Sequence, residues 1–307
     1  MPTSPCKAIM KTVFTIFSLL VFSIISAVNS CPPSDRATLL AFKAALHEPY
    51  LGIFNSWTGT DCCRNWYGVS CDQETYRVAD INLRGESEDP IFERAHRTGF
   101  ISPEICKLAR LSSITIADWK GITGEIPKCI TGLPFLCILD LIGNRISGEI
   151  LRISGGWSVS RLADRCRLAD LDLSVNKISG LIPPCFGKMA VLATLNLDCN
   201  MLTGSIPATL LTSAIGNLNL SRNALAGNIP DVFGPTSYFT VIDLSHNKLK
   251  GLVPRSLSAA SYIGHLDLSY NHLCGRIPAG APFDHLGLEA SSFMYNDCLC
   301  GKPLRAC

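Results

Sequence analysis

The stretch that decides the fold runs Leu192-Ala-Thr-Leu195-Asn-Leu197-Asp-Cys-Asn200 and continues Met-Leu-Thr-Gly204-Ser-Ile-Pro207. The glycine of this element recurs eight times, at Gly99, Gly124, Gly148, Gly180, Gly204, Gly227, Gly251 and Gly275. Successive glycines are 23 to 25 residues apart, except for one step of 32 residues between Gly148 and Gly180. A fixed period of this length indicates a stacked solenoid rather than a globule with one pocket.

The pattern L-x-x-L-x-L-x-x-N is that of a leucine-rich repeat, so we predict an α/β solenoid with a parallel β-sheet on its concave face. In Leu171-Asp-Leu173, alternation sends both leucines to the core, while Asp170, Asp172 and Ser174 point outward. An asparagine follows most strands and can satisfy backbone groups of adjoining turns. This structural column contains Asn144, Asn176, Asn200, Asn223, Asn247 and Asn271. The first repeat has Trp119 instead, so its bend must be stabilised differently.

Residues 1–30 have the pattern of a signal peptide. Lys7 and Lys11 precede an apolar run from Val13 to Ile25, and small residues follow before Cys31. A membrane anchor is the alternative, but the apolar run is short for that role. No later stretch has the apolar length of a membrane span, and no hydrophobic tail follows the repeats. We therefore expect a secreted protein of the cell wall or apoplast.

Charge argues against a duplex DNA-binding protein. The chain has 27 Lys and Arg and 25 Asp and Glu, and cleavage after residue 30 would remove two lysines, leaving 25 of each. Duplex DNA binders normally carry a basic excess on one face. We expect no nucleic-acid partner.

Fifteen cysteines fit an oxidising compartment. Eight cluster at the two ends of the mature chain: Cys31, Cys62, Cys63, Cys71, Cys274, Cys298, Cys300 and Cys307. Disulfides in caps would cover the apolar ends of the solenoid. Zinc binding is the alternative, but the spacing does not match the usual C-x2-C pairs, so we expect no metal.

These features divide the chain into a signal peptide (1–30), an N-terminal cap (31–77), repeats (78–275) and a C-terminal cap (276–307). The cap should start with a helix from Asp35 to Leu46, capped by Ser34 or Asp35 and ended before Pro49. The charged insertion 84–98 is a secondary binding candidate.

The long step at 151–167 carries no repeat pattern. A loop and an imperfect junction left by lost repeats both explain it, and we favour the junction. We predict that limited proteolysis cuts first between Arg152 and Arg167, whereas full protection there would contradict a disordered junction.

The cap motif Asp61-Cys-Cys with Trp66-Tyr-Gly-Val-Ser-Cys71, the N-x-L-x-G-x-I-P turns and the ending Cys298-Leu-Cys-Gly-Lys-Pro resemble secreted plant leucine-rich-repeat proteins. Leu83-Arg-Gly-Glu-Ser-Glu-Asp89 and Ile116-Ala-Asp-Trp-Lys-Gly121 resemble the DNA-damage-repair/toleration group, related to polygalacturonase-inhibiting proteins. The resemblance implies the disulfides Cys31–Cys62, Cys63–Cys71, Cys274–Cys298 and Cys300–Cys307, and Cys106 and Cys129 could form another. We interpret the damage-toleration name as a family label.

Catalysis is not favoured. Asp243, His265, Asp267 and Ser269 suggest a triad, but the Asp and Ser recur in neighbouring turns and no oxyanion-hole motif accompanies them. We expect no enzyme and no cofactor.

The outward strand residues are the better candidate for a binding site. We predict a partner-binding concave face whose residues are Asp140, Asp172, Thr194, Asn196, Asp198, Asp243, His265 and Asp267, with Ser113, Thr115, Asn219 and Val241 beside them. The alternative is that these polar residues only keep the sheet soluble. The sequon Asn219-Leu-Ser221 predicts a glycan on the same face, which would cover part of it. Binding should then favour the turns away from Asn219 or the flanks.

We expect a non-enzymatic recognition protein that binds a protein, either a pathogen enzyme or a receptor ectodomain, or else a wall glycan. The alternatives are inhibition of a wall-degrading enzyme such as polygalacturonase, and DNA-damage toleration.

Overall fold

The fold is a solenoid with two long sheets, seen in a computed structural model that describes residues 30–49, 51–85, 97–150, 168–280, 283 and 289–307. The predicted signal peptide, most of the charged insertion and the junction 151–167 lie outside the described residues.

Nine strands form the sheet that lines the concave side of the solenoid. All neighbours are parallel except the first pair, which is antiparallel. In chain order the strands are β2 (Val69–Cys71), β3 (Val78–Asn82), β5 (Ser113–Thr115), β7 (Ile138–Asp140), β9 (Asp170–Asp172), β11 (Thr194–Asn196), β13 (Asn217–Asn219), β15 (Tyr238–Asp243) and β17 (Tyr262–Asp267).

A second, seven-stranded parallel sheet follows the bend in each turn. Its strands are β8 (Ser147–Glu149), β10 (Lys177–Leu181), β12 (Met201–Gly204), β14 (Ala224–Asn228), β16 (Lys248–Gly251), β18 (His272–Arg276) and β19 (Cys298–Cys300). A small third sheet joins β1 (Leu46–His47), β4 (Arg97–Phe100) and β6 (Lys120–Thr123).

Helices are short and few among the described residues. The α-helices are α1 (Pro33–Lys43), α2 (Cys62–Asn65) and α3 (Ala208–Leu211). Six 3-10 helices complete the turns, at Ile53–Ser56, Pro103–Lys107, Lys128–Gly132, Phe186–Lys188, Arg255–Ala259 and Ala290–Phe293.

The first helix differs from its prediction. It starts at Pro33 and ends at Lys43, and no side chain caps its start. Asp35 lies inside the first turn, where it is buried and accepts two hydrogen bonds from the Arg77 guanidinium, at 2.7 and 2.8 Å, and one from the Val78 backbone. Asp35 therefore bonds the N-terminal cap to the start of β3 instead of capping the helix α1.

Leucine and isoleucine side chains of every turn fill the core. Those of the strands are almost completely buried: Ile81, Ile114, Leu139, Leu171, Leu195, Leu218, Ile242 and Leu266. Both long sheets continue past residues 151–167, because Leu139 pairs with Leu171 in one sheet and Gly148 with Ile178 in the other. The turns on either side of this segment are therefore direct neighbours.

The asparagine column bonds adjacent turns together. The Asn200 side-chain amide donates to the carbonyls of Leu173, Leu197 and Asp198 at 2.9 to 3.2 Å, and its oxygen accepts from the Ile178 backbone at 2.9 Å. Trp119 fills the same role in the first repeat, since its indole N–H donates to the Leu83 carbonyl at 2.6 Å. Asn296, which is absent from the predicted column, continues it into the C-terminal cap.

Disulfides stabilise both caps. The structure contains the pairs Cys31–Cys62, Cys63–Cys71, Cys106–Cys129, Cys274–Cys298 and Cys300–Cys307. The Sγ atoms of Cys31, Cys62 and Cys63 lie close together, but each belongs to a disulfide and so offers no thiolate to a metal.

Candidate functional site

The outward residues of the concave sheet form two parallel rows, since each strand pairs in register with the next. The central row is Asn82, Thr115, Asp140, Asp172, Asn196, Asn219, Asp243 and Asp267. The second row is Asp80, Ser113, Ile138, Asp170, Thr194, Asn217, Val241 and His265. Seven of the eight predicted partner-binding residues lie in these rows, and Asp198 lies beside them just after its strand.

Each acidic or amide side chain of the central row from Asp140 onward supports its own turn. Its Oδ1 accepts a hydrogen bond from the backbone N–H two residues further on, as in Asp243 to Ser245 at 2.9 Å and Asp267 to Ser269 at 2.8 Å. The same bond is made by Asp140, Asp172, Asn196 and Asn219. One side-chain oxygen of each residue is thus hydrogen-bonded within the fold. In the aspartates, only the second carboxylate oxygen could contact a partner.

In the early turns the second carboxylate oxygen is also occupied. Asp140 Oδ2 accepts from the Arg84 guanidinium at 2.7 Å, and Asp172 Oδ2 accepts from the Asn196 amide at 2.9 Å. Asp198, outside the central row, is engaged through Oδ1, which lies 2.7 Å from the buried Ser221 hydroxyl and 3.9 Å from the Arg222 guanidinium. These three carboxylates are therefore bound within the protein.

In the late turns the second oxygen has no partner in the part of the chain that the structure describes. No hydrogen bond or ion pair to Oδ2 of Asp243 or Asp267 is formed by any residue in the described ranges. Both side chains are half-buried, and they face each other directly across β15 and β17. Like charges at such positions destabilise a sheet, so this pair is available to a cationic partner.

Exposed aromatic rings flank these two carboxylates. Tyr238 stacks on Tyr262 at the start of the strands, with ring centroids 4.9 Å apart. After the strands, Tyr270 stacks between His246 at 4.0 Å and Tyr295 at 4.2 Å. The tyrosines are exposed by 55% (Tyr238), 46% (Tyr262), 43% (Tyr270) and 62% (Tyr295). We call Asp243, Asp267, His265 and the two aromatic stacks the walled surface.

These aromatic residues are missing from the site predicted from sequence. Tyr238 and Tyr262 are one repeat apart, as are His246 and Tyr270, so the period alone would place them on neighbouring turns. The predicted site drew on polar positions of the strands, whereas His246, Tyr270 and Tyr295 lie in the bends after them, in the left-handed backbone region with φ of 53 to 59°.

The suggested triad is not assembled. The Ser269 backbone binds Asp267, and among the described residues His265 forms no hydrogen bond with Ser269 or Asp267. Cys199 is another candidate nucleophile, but burial, followed by its hydrogen bond to Asp198, raises the pKa of its thiol to about 11. A thiol with that pKa is protonated at neutral pH and a poor nucleophile.

Asn219, the predicted glycosylation residue, lies in the central row beside Asp243. Its Oδ1 accepts from the Ser221 backbone and hydroxyl, and its amide nitrogen donates no hydrogen bond to the described part of the chain. That nitrogen is the atom to which a glycan would be attached.

Three family models match parts of the sequence. The leucine rich repeat N-terminal domain matches residues 32–72, and two leucine rich repeat models match residues 167–189 and 213–273. Within the described ranges, no helix combines the length and the apolar composition needed to cross a bilayer.

Curated plant proteins are similar over part of the chain. DNA damage-repair/toleration protein DRT100 of Arabidopsis thaliana is 55% identical over 137 residues, which is 43% of this chain and 37% of that protein. A polygalacturonase inhibitor of Vitis vinifera is 34% identical over 117 residues, covering 38% of this chain and 32% of that protein. The chain thus matches about a third of the length of each relative.

Solved structures share the fold. The ectodomain of the Arabidopsis receptor kinase GASSHO1/SCHENGEN3, solved in complex with CASPARIAN STRIP INTEGRITY FACTOR 2, has a TM-score of 0.62 at 25% identity, covering 80% of this chain and 30% of that chain. A plant ice-binding protein has a TM-score of 0.55 at 25% identity, covering 90% and 98%. The chain therefore folds as a leucine-rich-repeat protein and resembles the DNA damage-repair/toleration and polygalacturonase-inhibitor proteins of plants.

Proposed function

We propose that this chain is a secreted, non-enzymatic recognition protein that binds another protein through its concave sheet. The observation that carries the proposal is the walled surface, where Oδ2 of two carboxylates has no partner among the described residues and four tyrosines are exposed. Exposed aromatic groups on a rigid scaffold are typical of protein-binding surfaces.

Two further observations support the proposal. The similar GASSHO1/SCHENGEN3 ectodomain was solved in complex with another molecule, named as an integrity factor. Residues 1–30 have a signal-peptide pattern, and disulfides of both caps require an oxidising compartment to form. Export and binding are therefore consistent with each other.

The test is a comparative capture of proteins from plant extracellular fluid on immobilised residues 31–307. The concave variant carries Asp243→Asn, Asp267→Asn and Tyr262→Ser. The matched control is Lys250→Ser on the second sheet, where the equivalent positions of earlier turns are Ser179 and Thr203. We expect a protein that binds the wild type and the control but not the concave variant. Identical capture by all three chains would contradict a concave site.

Inhibition of a wall-degrading enzyme is the second candidate function, supported by the 34% identity to a polygalacturonase inhibitor. It is tested by measuring the release of reducing ends from polygalacturonate by fungal polygalacturonases, with and without the protein. Inhibition that disappears in the concave variant would identify the partner as that enzyme, and unchanged hydrolysis would remove this candidate for the enzymes assayed.

DNA-damage toleration, the third candidate, rests on the name of the relative with 55% identity. The charges of the central row are carboxylates, which repel phosphate, so the sheet does not favour it. Recovery of the protein from a nucleus or plastid with residues 1–30 still attached would favour toleration over secretion.

A further inference from the structure

The aromatic rings and carboxylates of the walled surface indicate which class of partner it could bind. Its floor is the end of β15 and β17, and its two sides are the aromatic stacks, which run along the solenoid axis. A strand rises about 3.3 Å per residue, so the five steps from Tyr238 to Asp243 span roughly 17 Å. The bend that leads to His246 adds a few ångströms, which places the sides roughly 20 Å apart. That width accepts an extended peptide with its side chains.

The aromatic stacks favour a peptide over a sugar. Sugars bind aromatic residues by lying on a ring face, but here most faces are covered by the neighbouring ring, at interplanar angles of 11 to 22°. Ring edges remain exposed, whereas the hydroxyls of Tyr270 and Tyr295 are hydrogen-bonded to each other. Edges pack against aliphatic and aromatic side chains, and the hydroxyls of Tyr238 and Tyr262 can donate to peptide carbonyls.

The carboxylate pair favours a cationic side chain. Oδ1 of Asp243 and of Asp267 is held by a backbone N–H, so each free Oδ2 has a fixed position on a rigid sheet. Neighbouring strands are about 4.8 Å apart, which places the two oxygens within the reach of one planar guanidinium. A lysine ammonium would provide the positive charge but not the planar set of N–H donors that can reach both carboxylates at once.

We propose that the walled surface binds an extended segment of a partner protein and that an arginine of this segment lies between Asp243 and Asp267. This inference rests on the proposed function and adds the position and chemistry of the contact.

The experiment selects peptides from a random 12-residue phage-displayed library on residues 31–307 and measures their affinity by fluorescence anisotropy. The test variant is Asp243→Asn with Asp267→Asn. It should fold, because Asn196 and Asn219 make the same turn-supporting bond in the same row. The matched control is Asp172→Asn, which removes a charge from the same row outside the aromatic sides. Each selected peptide is also made with Arg→Lys and Arg→Gln, and oligogalacturonides serve as the sugar probe.

We expect arginine-containing peptides whose affinity falls about tenfold or more in the double variant and with Arg→Gln, but little in Asp172→Asn. Tyr270→Asn, which suits the φ of 53° at that position, should also weaken binding.

Two results would overturn the inference while leaving the proposed function intact. One is a set of peptides whose affinity is unchanged by the double variant and by replacement of the arginine, but is lost in other variants of the concave face. The other is full-length partner capture that needs the concave face while no arginine peptide binds. Oligogalacturonide binding that the double variant abolishes would overturn the peptide assignment in favour of a glycan.

Discussion

The hydrogen bonds of each side chain determine whether its polar atoms are used within the fold or are left available to a partner. The asparagines of the column from Asn176 onward both donate and accept within the fold. Asp243 and Asp267 use one oxygen in this way and leave the other without a partner among the described residues. Position in the repeat does not distinguish the structural residues from the candidate binding residues, since each recurs once per repeat.

Replacing Asn247 by alanine should lower the free energy of unfolding by about 2–4 kcal/mol, because buried backbone groups lose their partners. The Asn247 amide donates to Leu220, Leu244 and Ser245, and its oxygen accepts from Leu225, all at 3.0 to 3.2 Å. Urea unfolding measures the change. Asn228→Ala is the control, since Asn228 is exposed and its side chain makes no hydrogen bond within the described residues. Equal losses for both variants would contradict the structural role of the column.

The pH dependence of stability should differ in sign between two aspartates. Burial raises the pKa of the Asp140 carboxyl above its ordinary 3.8, whereas hydrogen bonds from Ser256, first its side chain and then its backbone, lower the pKa of Asp231. A raised pKa means stability that is present below 3.8 and lost as pH rises through the folded value. A lowered pKa means stability that is present above 3.8 and lost as pH falls.

The measurement is urea unfolding between about pH 2 and 6 for the wild type, Asp140→Asn and Asp231→Asn. The advantage of the wild type over Asp140→Asn should shrink as pH rises, and its advantage over Asp231→Asn should grow. Parallel curves for the two variants would show that the environments of these carboxyls are not as described.

The proposed binding role of the late strands would compete with their stability. Asp243→Asn should raise the free energy of unfolding at neutral pH by about 0.2–1 kcal/mol, since it removes the repulsion between paired strands. Asp172 faces Asp140 in the same way, but Asp172→Asn should give no net gain, because an amide nitrogen at the Oδ2 position cannot accept the hydrogen bond from the Asn196 amide. A loss of stability in Asp243→Asn at neutral pH would show that its second oxygen is engaged.

The sequence predicted the concave rows but not which end of them is free. The repeat period sets the strand register, so the spacing of residues alone aligns Asp140, Asp172, Asn196, Asn219, Asp243 and Asp267. Arg84 could not be matched to Asp140 in this way, because the two residues are 56 positions apart and the contact depends on side-chain reach across two turns.

At the scale of the whole molecule, the solenoid is continuous across 151–167, since the strands on either side pair directly. The paired strands of the concave sheet thus run without a break from the N-terminal cap to the walled surface.

Intact mass and N-terminal sequencing of protein from plant tissue test export. We expect a chain that begins at Cys31, lacks the ten thiol hydrogens of the five described disulfides and carries a glycan on Asn219. Disulfide formation and signal cleavage both belong to the secretory route, so they should occur together. A reduced, unglycosylated chain that keeps residues 1–30 would contradict secretion and restore the damage-toleration candidate.

The sequence by itself determined the solenoid, its leucine core, its asparagine column and its acidic row, because each depends on a period that sets identical neighbours one turn apart. The tertiary structure decided the side-chain contacts that do not repeat from turn to turn. It showed that the Trp119 indole replaces an asparagine, that Arg84 and Asn196 occupy the early carboxylates, and that stacked aromatic rings flank the late ones. Those outcomes depend on the reach and orientation of individual side chains across turns, which the spacing of residues along the chain does not specify.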